Sequence, residues 1–195
     1  MADLRSDILD RARHLLVTEG YADLSMRRIA RAVGCSATSI YLHFENKDAL
    51  VHTLIDVGFE GLNTRLQEAA EAHVDPAGRL EALARAYVAF GRENPEYYEV
   101  MFQLHPQRMA RYPVEAYRRA RRNLELLEAA IVDGTAAGAF SAPAPEVTAH
   151  VMWASMHGVV SLLVAQRVDV RIDADALVEA AVRHVVDGVR AGVAV

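Results

Sequence analysis

The sequence predicts an all-α protein of about nine helices, and three observations carry that expectation. No segment alternates apolar and polar residues over a strand's length, whereas apolar residues recur at three- and four-residue spacing throughout. Asp75-Pro76 and Asn94-Pro95 each pair a capping side chain with a proline at the first helical position. A chain of 195 residues that is 52% hydrophobic has enough apolar mass for a core in one or two domains. The boundary is placed between a small three-helix bundle over residues 1–48 and a larger helical domain over 49–195.

Residues 4–18 set Ile8, Leu9, Ala12, Leu15 and Leu16 at helical spacing, and Gly20 ends the helix. Ser25 can cap a short second helix with Ile29, Ala30 and Val33 inward, closed by a left-handed Gly34. Ser36 caps a third, in which Ile40 and Phe44 fall four apart. Two short helices joined by a glycine-containing turn have the sequence shape of a helix-turn-helix. Asn46 opens a long fourth helix to about Ala72, with an expected stripe of Leu50, Leu54, Val57 and Gly61 beside Val51, Ile55, Leu62 and Leu66. A helix from Pro76 carries Leu80, Leu83, Tyr87, Val88 and Phe90. The next runs from Pro95 through Tyr97, Tyr98, Met101 and Phe102 until His105-Pro106 stops it. Pro113 opens a helix with Tyr117, Ala120, Leu124, Leu127 and Ile131 in register, ending near Gly138. Residues 145–166 and 173–191 form the last two.

The third helix presents Ala37, Thr38, Ser39, Tyr41 and His43 outward, without a carboxylate among them. Hydroxyls and rings of this kind reach phosphates and base edges, where a carboxylate would be repelled. From Leu24 to Lys47 four basic residues (Arg27, Arg28, Arg31, Lys47) stand against Glu45 alone, and Lys47 is the only lysine in the chain. The net charge of −5 does not contradict a polyanionic partner. Residues 1–50 hold seven basic and seven acidic side chains, so the excess acid lies beyond them, and salt screens exposed charges over about 8 Å.

The run Ile-Tyr-Leu-His-Phe-Glu-Asn-Lys-Asp-Ala-Leu, preceded by Ile-Ala-Arg-Ala-Val-Gly-Cys-Ser, resembles the DNA-binding signature of the TetR family of transcriptional regulators, without a gap from about residue 8 to 54. Gly34, Ser36, Tyr41, His43, Phe44, Lys47 and Leu50 stand at the family's spacing, while Cys35 replaces a usual aliphatic residue and Thr38 a usual small one. The segment Trp153-Ala-Ser-Met-His157-Gly158 is similar to a carboxy-terminal class of the same family.

The resemblance implies that Ser25, Tyr41, His43 and Lys47 contact phosphates, that Arg28 approaches the backbone or a base edge, and that Ser36, Ala37, Thr38 and Ser39 face the groove. A basic residue of the first helix also turns to phosphate in the family; Arg5, Arg11 and Arg13 remain alternatives. It implies a homodimeric repressor on a near-palindromic double-stranded operator, released by a small, mostly apolar effector held in a ligand-binding and dimerisation domain. Activation by ligand, or a helical small-molecule-binding protein that no longer binds DNA, are the alternatives.

Small residues on the last two helices suit a four-helix dimer interface of Val151, Ala154, Gly158 and Leu162 with Leu177, Ala181, His184 and Gly188. Phe59, Tyr87, Phe90, Tyr97, Met101, Phe102, Met152, Trp153, Met156 and His157, with Tyr98 and Met109 in the same cluster, are core or pocket wall. His157 bonds a ligand or titrates, or else is satisfied by a backbone carbonyl, and Cys35 is a small hydrophobe or a redox switch. The arginines at 118, 119, 121 and 122 read as a solvated helix face.

No phosphate loop, nucleophile elbow or His-Glu-x-x-His pair occurs, and no His pair has metal-ligand spacing with a suitable partner. No enzyme, cofactor or metal is therefore expected. A single Cys allows no intrachain disulfide. The first residues lack a signal-peptide apolar segment, and no apolar run was expected to reach the roughly 20 residues of a membrane span, which together predict a cytoplasmic protein with no membrane partner.

Overall fold

The computed structural model describes residues 3–104 and 114–191, and these form nine helices and no strand. They are α1 (Leu4–Glu19), α2 (Met26–Val33), α3 (Ala37–Tyr41), α4 (Lys47–Glu71), α5 (Pro76–Glu93), α6 (Pro95–Phe102), α7 (Val114–Ala136), α8 (Pro145–Val164) and α9 (Ala174–Ala191). The expected His105-Pro106 stop, Met109 and the Pro113 start lie outside the described residues.

Local chemistry sets most of the boundaries. Asp3 accepts the Arg5 N–H at the start of α1, Asn46 the Ala49 N–H at α4, Asp75 the Gly78 N–H at α5 and Asp173 the Ala176 N–H at α9. At α6, Asn94 makes no side-chain cap bond, and Pro95 alone presets the first turn. After α7, Gly138 takes φ +73°, and the Ala139 and Phe140 N–H groups both bond the Gly134 carbonyl. The Phe140 ring then lies where a Cβ on Gly134 would sit, 2.2 Å from its ring carbons.

The chain divides into two compact units. The first comprises residues 1–60 with 94–117, the second 61–93 with 118–195. The division falls inside α4, whose apolar stripe continues unbroken through Leu50, Leu54 and Phe59, and α6 packs on α1. Burial in the first unit comes from Ile8, Leu9, Ala12 and Leu16 of α1, Met26, Ile29 and Ala30 of α2, Ile40, Phe44, and the first half of α4. In the second unit α5, α8 and α9 pack on one another, with Leu80, Leu83, Met152, Met156, Val178, Val182 and Val186 buried. One buried polar pair stands in that unit: Asn63 of α4 donates to Asn123 of α7 at 2.8 Å.

Three expectations need correction. On α4 the buried stripe is Leu50, Leu54, Gly58, Leu62 and Leu66 with Val51, Ile55 and Phe59, while Val57 and Gly61 are exposed, since the buried residues recur every four positions and each such step carries the covered face about 40° further round the helix. On α7, Tyr117 is exposed, and the buried face is Asn123, Leu127, Ala130 and Ile131. Finally, α8 is long and apolar enough, by length and composition alone, to cross a membrane. It is apolar on two faces: Ala149, Met152, Met156 and Val160 are buried, whereas Val147, Val151, Ala154, Gly158 and Leu162 are exposed.

Candidate nucleic-acid interface

The reading surface is built from caps. Ser25 accepts the Arg28 N–H at 3.3 Å to start α2. Gly34 ends it at φ +82°, with the Gly34 and Cys35 N–H groups both on the Ala30 carbonyl. Ser36 then accepts the Ser39 N–H at 3.0 Å, and the two hydroxyls lie 2.8 Å apart. Their rotors are thereby held before any partner arrives. Ile40, fully buried, anchors α3 from beneath. Thr38, Tyr41 (54% exposed), Leu42 (81%) and His43 project to solvent, with Ala37 and Ser39 half-buried. Phe44 turns inward one residue after His43 and receives the Arg5 guanidinium over its ring at 5.4 Å.

Lys47 is held in place. Its ammonium donates to the Tyr21 carbonyl at 2.9 Å and lies 3.8 Å from that ring's centroid, while the Tyr21 hydroxyl donates to Asp48. Burial, with this bond to the Asp48 carboxylate and its charge, pushes the Tyr21 phenol up to about 12. An ammonium has three donors, so two remain for a phosphate.

The structure sorts the cations that the sequence left open. Arg13 is committed to Glu96 and Asp10 and stacks on Tyr97, and Arg5 lies on Phe44. Arg11 is exposed and makes no ion pair among the described residues. Arg28 is paired with Glu19 at 2.7 Å, whose other carboxylate oxygen is buried without a hydrogen bond. Arg27 and Arg31 are exposed and unpaired among the described residues. Tyr21, Asp48 and Glu19 were missed as positioning groups. A lone aromatic after a helix-ending glycine was the signal for the first, and Glu19 and Asp48 gave none.

The residues grouped as core or pocket wall separate between the two units. In the first, Phe59 meets Phe102 edge-on at 5.5 Å, Tyr98 lies 4.9 Å from Phe102, and Met101 and Tyr97 fill the space beside Gly58. In the second, Tyr87, Phe90, Met152 and Met156 are buried. There the Tyr87 hydroxyl lies 3.2 Å from His157 Nδ1, and Trp153 packs 5.3 Å from the same imidazole. Burial lowers the His157 pKa.

Of the residues expected at a dimer contact, Val151, Ala154, Gly158, Leu162 and His184 are exposed and Leu177, Ala181 and Gly188 half-buried in the single chain. Val185, next to His184 on α9, is buried in its own unit.

Residues 8–54 match the family described as bacterial regulatory proteins, tetR family, and residues 80–185 match the tetracyclin repressor-like C-terminal domain. Over 98 residues, half of each protein, the chain is 30% identical to the nucleoid occlusion factor SlmA of Aliivibrio fischeri (strain MJ11). The chain thus spans about half the length of the curated relatives it matches. A protein of unknown function from Rhodococcus sp. RHA1 superposes with a TM-score of 0.82 at 27% identity, covering 97% of both chains. FadR of Bacillus subtilis, solved with stearoyl-CoA, superposes with a TM-score of 0.77 at 16% identity over 94% of this chain and 98% of its own, a likeness of fold alone. With two family segments matched, one of them covering more than half of this chain, the protein belongs to the TetR family of bacterial regulatory proteins, which are DNA-binding regulators and not enzymes.

Proposed function

We propose that the protein is a homodimeric, ligand-responsive cytoplasmic repressor that binds a near-palindromic operator. The observation that carries the DNA reading is the carboxylate-free outer surface of α3, rigidly capped and flanked by Lys47. Residues 1–48 form the DNA-reading part and 49–195 the remainder. Ser25, Tyr41, His43 and Lys47 hold phosphates, Arg28 reaches the backbone or a base edge once it leaves Glu19, and Ser36 to Ser39 face the major groove. Two such heads on a two-fold axis meet half-sites about 34 to 36 Å apart or a multiple of that.

Dimerisation through α8 and α9 is supported by the glycines. Gly inside a helix costs about 1 kcal/mol relative to Ala. A Cβ at Gly158 or Gly188 would touch nothing within this chain, so no internal packing requires either residue. A second helix approaching closely would. That occupant also explains why α8 is apolar on both sides.

The effector reading rests on Tyr87, Trp153 and His157. The Tyr87 hydroxyl and the His157 imidazole place polar groups beside the Trp153 ring, which suits an apolar, planar molecule carrying a polar group. A ligand preferring the non-binding conformer by about 1 to 3 kcal/mol lowers operator affinity about 5- to 150-fold.

A gel shift on the DNA upstream of the protein's own gene, with sedimentation of the free protein, tests the proposal. A monomer that ignores every duplex at low salt ends it, and a dimer that ignores them favours a small-molecule-binding protein without DNA binding. A ligand that tightens operator binding would make the protein a ligand-dependent activator.

A further inference from the structure

Helix α6 belongs to the same compact unit as the DNA-reading helices, although 42 residues separate its first residue from Thr53 on α4 and far more from α1. What ties it there is specific. The Glu96 carboxylate divides its oxygens between two successive residues of α1: Oε2 accepts Arg13 Nε at 3.0 Å and Oε1 meets His14 Nδ1 at 2.9 Å. The Arg13 guanidinium turns a second edge to Asp10 at 2.9 Å and lays its face over Tyr97 of α6, 4.3 Å from the centroid. Burial opposes the Glu96 charge, but the bonds from His14 and Arg13 outweigh it and hold the carboxyl below its ordinary range. On its other side α6 meets α4 where Gly58 has no side chain: a Cβ there would lie 2.5 Å from Met101 Sδ and 3.3 Å from the Tyr97 ring.

A surface ion pair between two long side chains contributes little. This arrangement differs: Arg13 is only 21% exposed, stacked, and bonded on two edges, and one carboxylate grips two adjacent positions of one helix. The face of α1 opposite Glu96 carries Ile8, Leu9, Ala12 and Leu16 in the core under α2. The azimuth of α1 about α6 is therefore set by Glu96, and α2 and α3 follow α1.

We propose that Glu96 is a positioning residue for operator binding. Through Arg13 and His14 it holds α1, and with it the helix-turn-helix, in the orientation that fits DNA, without touching DNA itself. This rests on the operator-binding reading above. It also removes Arg13 from the candidate phosphate contacts.

The test is a double-mutant cycle on the full-length dimer, with Glu96→Gln, Arg13→Gln and the double variant. Operator affinity is measured by fluorescence anisotropy across a salt series, and amide hydrogen exchange is measured on the free protein. Each single variant is expected to lose about 10-fold in operator affinity, with the double variant within about 2-fold of the weaker single, as for residues acting through one contact. The salt slope should be unchanged, because no phosphate contact is lost. Exchange should quicken together in residues 4–19 and 95–102 and stay unchanged in α8 and α9. The proposal is overturned by losses that multiply in the double variant, by a salt slope that falls with Arg13→Gln, or by unaltered exchange in α1. A wild-type protein that binds no duplex would remove the function reading, and the exchange result would then decide the clamp alone.

Discussion

Replacing Lys47 by Ala separates a phosphate contact from a base contact. In the proposed dimer it removes one charge per reading head. Each phosphate neutralised contributes roughly 0.9 to the slope of log K against log salt, so two lost contacts lower that slope by about 1.8. At about 0.15 M salt this corresponds to an affinity loss of roughly 30-fold. The loss should be equal for operator and random duplex, because Lys47, bonded to the Tyr21 carbonyl at 2.9 Å and seated over its ring, is aimed by the protein and not by a base. The fold should tolerate the change, since a partly exposed cation–π contact is worth about 0.5–1 kcal/mol. Anisotropy titrations of both duplexes between low and moderate salt give slope and ratio together. Thr38→Ala is the control: it should change base preference at constant slope. A Lys47 variant that shifts sequence preference while keeping its slope would refute the assignment.

Tyrosinate absorbance followed with pH should contain a component ionising near 12 that Tyr21→Phe removes; an unchanged titration curve in the variant would refute it. The linked stability is fully present below the phenol's unfolded value of 10.0 and lost as pH rises through about 12, so alkaline melts of the wild type should converge on those of Tyr21→Phe. Gly134→Ala should cost about 1–3 kcal/mol, because its methyl meets the Phe140 ring rather than a flexible chain end; an unchanged melting temperature would show that the ring can move aside. Val151→Glu, at a side chain 60% exposed in the single chain, should leave the far-ultraviolet dichroism intact and shift sedimentation from dimer to monomer; a persistent dimer would place the contact elsewhere.

The parts of this fold legible in the sequence are those decided within a few residues. Ser25, Gly34 and Ser36 act on the turn beside them, and each takes the predicted role. Asn46 and Asp75 do the same. Periodicity was less secure along the long helices: Val57 and Gly61 of α4 and Tyr117 of α7 satisfy a heptad on paper, while the real contact surface rotates away from them. The aromatic and methionine residues were grouped by type, but contact between them depends on folding over long separations, and they fall in different units. Arg13 and Glu96, 83 positions apart, could not be joined by any local rule. Nor could a sequence show that Glu19 occupies Arg28.

The amide pair of Asn63 and Asn123 gives the second unit a directionality that its leucines do not. Greasy side chains tolerate sliding and small rotations with modest loss. A carboxamide donor facing a carboxamide acceptor at 2.8 Å favours a single phase, since slipping either helix by one residue swings its partner away by about 100° and breaks that bond in a buried setting. Two residues thus keep α4 and α7 from settling into a neighbouring, equally oily alignment.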